Sequence, residues 1–264
     1  MADWKAKHAE IEKKFLNYLC SETDNFILKG GTALYLCYGL TRFSEDIDLD
    51  GKNFNVKGKL EIRPYVENFC KQYKFSANLK KDTDTVERWM IDYGEKGHHL
   101  KVEVSYRGAN NLKTDFKNIS GIKVYSIDRL ATMKATTLSD RTKIRDFYDI
   151  CFIVNNHWDA LNPSTQDMIR DVFEYKNFDY VEFLMETQKD ELVNADELID
   201  IFLDAYEKAG MTTSERDKKT IENIKEKDSC QERANSVIEA MDSLCRSKTE
   251  REDSENEGVS GGRP

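Results

Sequence analysis

Phe26-Ile27-Leu28-Lys29-Gly30-Gly31-Thr32-Ala33-Leu34, and after one helical stretch Arg42-Phe43-Ser44-Glu45-Asp46-Ile47-Asp48-Leu49-Asp50, decide how this 264-residue chain is read. The apolar run 26–28, ended by two glycines, predicts a short buried strand. Ala33, Leu34, Leu36 and Cys37 predict a largely buried helix from Thr32 to Leu40. Glycines at such a strand-to-helix turn permit positive φ and close approach of a ligand to the backbone. The helix N-terminus beyond them offers free N–H groups and a partial positive charge, which suit a phosphate. Further along, Ile47 and Leu49 alternate with Asp46, Asp48 and Asp50, so on a strand the carboxylates share one face. Asp46 and Asp48 repel each other unless a cation lies between them. Mg²⁺ or Mn²⁺ fits, being held by one or two carboxylates together with substrate phosphates. A Gly-Gly turn alone is common, and Asp-x-Asp alone reads more simply as a solvated strand face. The two together, one helix apart, carry the information.

In that order the motifs resemble the nucleotidyltransferase superfamily. More narrowly, Gly30-Gly31-Thr32-Ala33-Leu34 and Arg42-x-Ser44-x-Asp46-Ile47-Asp48 resemble the GGTxL and R-x-S-x-D-I-D signature of the AbiEii/AbiGii toxin family. That family's second signature, a helical Lys-x-x-Ala segment and then R-x-x-x-R-D-x-x-D, has its counterpart in Lys134, Arg141, Arg145, Asp146 and Asp149; here Ala135 follows the lysine directly and Thr137 stands at the usual alanine place. The resemblance covers about residues 25–155. It implies a metal-dependent transfer of NMP from an NTP to an acceptor hydroxyl. Asp46 and Asp48 would hold Mg²⁺ with a third acid. Gly30, Gly31, Thr32 and Ser44 would bind the triphosphate, and Lys134 would neutralise it, with Asp146 orienting Lys134 or the nucleotide. The implied role is a bacterial toxin that modifies RNA such as tRNA and is restrained by a cognate antitoxin.

The residues give Lys134 and the third acid some independent footing. Ile127, Leu130 and Leu138 lie on one helical stripe, and Lys134 takes its i+7 place. An inward lysine needs an anion or a snorkelling route, so either a triphosphate or the stripe's edge explains it. In Leu100-Lys101-Val102-Glu103-Val104-Ser105 the apolar residues take one face, leaving Glu103 on the other; Glu103 is the chosen third ligand and Asp92 its rival. Arg145 and Asp149 stand at i,i+4, the spacing of a helical ion pair. Ser139 or Asp140 is expected to cap the helix that carries them.

Outward from this centre, Trp4, His8/Ile11, Phe15 and Leu19 predict an amphipathic first helix, and 59–74 reads as helical with Pro64 in its first turn. Val86–Tyr93 and Leu100–Tyr106, separated by Gly94-Glu95-Lys96-Gly97, predict a hairpin. From Ile127 onward the period is helical, with breaks at Ser139-Asp140, Asn162-Pro163, Asn177 and Gly210. The expected fold class is α+β: a nucleotidyltransferase-type mixed sheet flanked by helices over 1–125, then a helical bundle over 126–245, and a disordered tail over 246–264. His98-His99 is not a chelating pair, because adjacent strand residues face opposite ways. Phe173, Tyr175, Phe178, Tyr180 and Phe183 read as core.

A charged fraction of 34% against 39% hydrophobic suits a globular protein. No run approaches the ~18 apolar residues of a membrane span, the N-terminus lacks a signal-peptide pattern, and a cytoplasmic protein is expected. Six dispersed cysteines without Cys-x-x-Cys are expected to be free thiols, with Cys37, Cys70 and Cys151 buried. A net charge of −9 excludes a general nucleic-acid coat, but 123–145 carries Lys123, Arg129, Lys134, Arg141, Lys143 and Arg145 against Asp128 and Asp140. That strip favours an RNA acceptor over the cationic acceptor of an antibiotic-modifying nucleotidyltransferase. A non-catalytic binding module is the third reading; it leaves the costly Asp46/Asp48/Lys134 grouping without a use.

Overall fold

A computed structural model describes residues 4–227 apart from 52, 55–57, 60, 108–114 and 195–196. The tail 246–264, together with Cys230 and Cys245, lies outside the described residues. In chain order the elements are α1 (Trp4–Glu22), β1 (Phe26–Lys29), α2 (Gly30–Cys37), β2 (Asp46–Gly51), β3 (Asn53–Phe54), β4 (Gly58–Lys59), α3 (Arg63–Tyr73), β5 (Ser76–Asp82), β6 (Val86–Asp92), β7 (Leu100–Ser105), β8 (Phe116–Ile119) and β9 (Ile122–Tyr125). Then come α4 (Ile127–Asp140), α5 (Ile144–His157), a 3₁₀ turn (Trp158–Ala160), α6 (Pro163–Tyr175), α7 (Phe178–Thr187) and α8 (Leu198–Lys208), and residues 215–227 are helical. The mixed sheet followed by helices is the α+β architecture expected.

Seven strands form one mixed sheet in the order β5-β6-β7-β2-β1-β9-β8. β1 runs straight into α2 at Gly30, whose φ of +76° only glycine adopts at little cost. β2 is central: it pairs antiparallel with β1 and parallel with β7, placing Asp48 beside Lys29 on one flank and Glu103 on the other. Ile47 and Leu49 enter the core, as the alternation requires. The β6–β7 hairpin turns through Gly94 and Gly97, both at positive φ. Lys74, at φ 58°, ends α3, and Pro64 sits in its first turn.

One apolar core runs from the sheet into the helices, built on Phe15, Phe69, Phe147, Phe173, Phe178 and Phe202. Burial of each such side chain stabilises by roughly 1.5–3 kcal/mol.

Several local expectations are corrected. β5 and β8 were not legible: each is an edge strand with one partner, and β5 carries little apolar alternation beyond Ala77 and Leu79. α4 runs through Ser139 and Asp140, which cap nothing; Ser139 Oγ donates back to Ala135 O, and the first N–H of α5, on Ile144, is taken by Gln188 Oε1 at 3.0 Å. Tyr175 and Phe183 are exposed (79% and 48%), unlike Phe173 and Phe178. Cys20, Cys37, Cys70 and Cys151 are free thiols, with Cys37 only partly buried. His98 stacks on Trp4 at 3.8 Å between ring centroids, packing α1 on the hairpin.

Candidate active site

A cleft of about 760 Å³ opens where β1, β2 and β7 face α4, lined among others by Gly30, Gly31, Asp46, Asp48, Glu103, Lys134 and Asp146. Gly30 and Gly31 enter it because nothing larger fits. A Cβ on Gly30 would stand 2.8 Å from Asp48 Oδ2, and one on Gly31 would stand 2.8 Å from Ser44 Oγ and 2.9 Å from an Arg42 guanidinium nitrogen. The N-terminal turn of α2 therefore lies directly against the Asp48 carboxylate.

The carboxylates have close company. Lys101 Nζ donates to Asp46 Oδ2 at 2.6 Å, and Arg88 Nε donates to Glu103 Oε2 at 2.5 Å. Lys29 pairs with Asp50, whose other oxygen accepts from Tyr125 Oη at 2.9 Å. Asp48 has no such direct partner among the described residues: burial pushes its acid up to about 6, Lys101 opposes this, and Asp46 and Glu103 add to it. Among the described residues no three His, Cys, Asp or Glu side chains converge closely enough to ligate one ion as they stand. The donor set nevertheless suits a hard divalent cation: it is all oxygen, on one face of adjacent parallel strands, with a central carboxylate whose charge its surroundings disfavour. Asp92 does not line the cleft; its Oδ1 accepts from Gly94 N at 2.9 Å in the hairpin turn.

Thr32 and Ser44 stand differently from the expectation. Thr32 is 0% exposed, and its hydroxyl lies 2.9 Å from Ser44 Oγ and 2.6 Å from the carbonyl oxygen of Asp46. Neither residue lines the cleft. Their hydroxyls latch α2 to the start of β2, so Thr32 is not free to meet a phosphate.

Lys134 is inward, but its anions belong to the protein. Its Nζ lies 3.0 Å from Asp146 Oδ1 and 2.6 Å from Asp149 Oδ2. Burial lowers the lysine, and the two aspartates outweigh it, holding the pKa above its ordinary value. Arg42 grips Asp149 with two hydrogen bonds of 2.7 Å, and Arg141 reaches Asp146 at 2.8 Å. The Arg145–Asp149 pair does not form: Arg145 turns to Asp190 and Glu45, because Asp149 is buried with stronger partners. Sequence reading thus left out Lys29, Arg88 and Lys101, and gave Asp149 the wrong partner. The signal for Asp149 was its place among Phe147, Tyr148 and Cys151 on the buried face of α5.

The basic strip is shorter than its sequence. Lys123 bonds to the Asp24 carbonyl and does not line the cleft, and Lys134 is neutralised from within. Arg129 and Arg141 remain on the cleft wall, with Lys143 exposed nearby.

A glycine-opened helix terminus facing paired carboxylates, with a partly buried lysine across the cleft, defines a nucleotidyltransferase. The profile of the nucleotidyl transferase AbiEii toxin of type IV toxin–antitoxin systems matches residues 15–242, and the chain belongs to that family. It is similar to JHP933 from Helicobacter pylori, whose crystal structure superposes with a TM-score of 0.64 at 25% identity over 90% of this chain and 99% of that one. An uncharacterized protein of Aquifex aeolicus is 26% identical over 182 residues, 67% of this chain and 77% of its own. The family implies a nucleotide substrate and a cognate antitoxin. Among the described residues no helix is long and apolar enough to cross a membrane.

Proposed function

We propose that this chain transfers NMP from an NTP to a hydroxyl of RNA, with tRNA the foremost acceptor, as the metal-dependent toxin of a bacterial toxin–antitoxin pair acting in the cytoplasm. The observation that carries the reading is the meeting of Gly30-Gly31, Asp46, Asp48 and Glu103 with Lys134 in one cleft.

Asp46, Asp48 and Glu103 are the residues that would hold Mg²⁺ or Mn²⁺. Such an ion would supply a lowered pKa to the acceptor hydroxyl and charge neutralisation to the phosphates. The N–H groups of the Gly30-Gly31 turn hold triphosphate oxygens, and the missing Cβ atoms let the Asp48, Ser44 and Arg42 side chains pack directly against that turn. Lys134, kept protonated and aimed by Asp146 and Asp149, presents positive charge to the leaving pyrophosphate. Arg129 and Arg141 steer the nucleotide and the acceptor backbone. The lining carries six cationic side chains (Lys29, Arg88, Lys101, Arg129, Lys134, Arg141) against four acidic ones (Asp46, Asp48, Glu103, Asp146). That balance suits a polyanionic acceptor and opposes the cationic one of an antibiotic-modifying enzyme.

Incubation of the protein and Mg²⁺ with total RNA and each α-labelled NTP in turn is expected to label RNA. Labelling should fall steeply with salt, and Arg141→Glu should impair it more than it impairs NTP binding. Label on a small cationic molecule or a protein, with none on RNA, overturns the acceptor assignment. In the same assay Glu103→Ala is expected to lose activity on the order of 10²-fold or more, whereas Asp92→Ala stays near wild type. The reverse order would make Asp92 the third acid.

A further inference from the structure

Four strands carry a row of charges across the floor of the cleft. Their register sets Lys29 of β1 beside Asp48 of β2, Asp48 beside Glu103 of β7, and Glu103 beside Arg88 of β6. Two residues along, Asp46 stands beside Lys101. Residues directly opposed on neighbouring strands share a face, so all six side chains meet the cleft, and all six line it. Lys29 is drawn aside to Asp50. The other two cations sit on acids of the proposed metal site: Lys101 Nζ lies 2.6 Å from Asp46 Oδ2, and Arg88 Nε lies 2.5 Å from Glu103 Oε2. Neither pair does much for the sheet. Lys101 and Asp46 are 28% and 45% exposed, the second pair is similarly open, and ion pairs in such contact with water contribute little to stability.

We propose that Lys101 is a further nucleotide-binding residue: its ammonium and a divalent cation are alternative partners of Asp46, and the ammonium displaced from Asp46 passes to the triphosphate. The inference rests on the nucleotidyltransferase reading of the cleft. Repulsion between a divalent charge and an ammonium on one carboxylate exceeds what a half-exposed ion pair contributes, so the two do not share Asp46. Lysine suits the exchange. Its charge is a point on a flexible four-carbon stem, without the two-pronged grip that Arg42 keeps on Asp149. Its destination lies in the same lining, at the Gly30-Gly31 turn proposed for the triphosphate. Phosphate oxygens held there offer Lys101 a charge-assisted hydrogen bond in place of the one it gives up. Arg88 stands in the same relation to Glu103. Cation and nucleotide therefore bind cooperatively. Without nucleotide the displaced ammonium loses its anion; with nucleotide one anion replaces another.

The test measures binding, not turnover. Mn²⁺ is the probe, followed by loss of the free-ion signal in electron paramagnetic resonance, alone and with an α,β-methylene analogue of each NTP. Lys101→Met, which keeps the aliphatic stem, should bind Mn²⁺ alone about tenfold more tightly than wild type. At saturating Mn²⁺ it should bind the analogue about tenfold more weakly, so the coupling between cation and nucleotide falls about tenfold. Lys101→Gln, also neutral, should behave as the Met variant does. Lys80→Met, which removes an exposed charge from β5, should behave as wild type. Equal Mn²⁺ affinity in wild type and the two neutral variants, an unchanged affinity for the analogue, or the same gain in Lys80→Met overturns the proposal. Absence of Mn²⁺ binding from every protein, with and without analogue, is a separate result: it sinks the metal-dependent reading of the cleft, and the proposal with it.

Discussion

Asp48→Asn is expected to abolish nucleotide transfer, a loss on the order of 10³-fold, and at the same time to make the protein more resistant to heat. Both results have one cause. The Asp48 carboxylate is packed against Gly30, with Asp46 two residues along and Glu103 across the strand pair. Burial first, and then those two acids, push its pKa from 3.8 to about 6, with Lys101 opposing. The folded value lies above the unfolded one, so the stability this group contributes is full below pH 3.8 and lost as pH rises through about 6. At pH 7 the wild type bears the whole cost and the amide none. Partial access of solvent from the cleft trims the difference to roughly 1–3 kcal/mol. A bound divalent cation would remove the same repulsion, so Mg²⁺ should raise the melting temperature of the wild type and leave Asp48→Asn unmoved. Scanning calorimetry at pH 4 and pH 7, with and without Mg²⁺, reads each effect. An Asn variant that turns over at the wild-type rate in Mg²⁺, or that is less stable at pH 7, would remove Asp48 from the proposed site.

Short-range periodicity accounts for the features that could be read from the sequence. The alternation across Asp46–Asp50 set the carboxylates on one face, and the stripe Ile127-Leu130-Lys134-Leu138 turned the lysine inward. Both patterns are complete within a few residues. Pairing between distant segments stayed hidden: Lys101 with Asp46 at a separation of 55 residues, Arg88 with Glu103 across a hairpin, Arg42 with Asp149 at 107. No local rule predicts such partners, and they override local rules where the two compete. Arg145 and Asp149 have the helical spacing of an ion pair, yet each is claimed by a residue from another element. The cap of α5 failed for the same reason: Gln188, from beyond α7, supplies what Ser139 or Asp140 was expected to give. Thr32 misled in a subtler way. A threonine after Gly-Gly at a helix N-terminus is well placed to meet a phosphate, and only the burial of its side chain shows its hydroxyl turned back on Ser44 and Asp46.

Asp149→Ala, behind the cleft wall, is expected to cost about 3–5 kcal/mol of folding stability. Asp149 is 0% exposed and neutralises two cations, the buried Arg42 through both of its oxygens and the partly buried Lys134 through one. Burial works against its charge, but Lys134 and Arg42 outweigh that and hold it below its ordinary 3.8. Without it Lys134 still has Asp146, whereas Arg42 keeps, among the described residues, a hydrogen bond to the Phe43 carbonyl at 3.0 Å and the more distant charge of Asp190. The stranded guanidinium, more than the lost attraction, sets the penalty. Removing it should therefore repair the fold: Asp149→Leu combined with Arg42→Met should regain most of the lost stability, since a well-packed apolar pair replaces a buried ion pair at little cost. Activity should not return with it. Lys134 would be aimed by Asp146 alone, and displacement of a catalytic charge by about an ångström lowers turnover on the order of 10²-fold. The depressed pKa fixes the acid limb: the stability from Asp149 is present above pH 3.8 and lost as pH falls through its lower folded value. The double variant lacks that titration, so its stability should fall less steeply than wild type below pH 4. Urea unfolding at pH 7 and pH 3, with transfer assayed on the same samples, separates the two roles. If the double variant proved no more stable than Asp149→Ala, the penalty would lie in lost packing and not in a stranded charge.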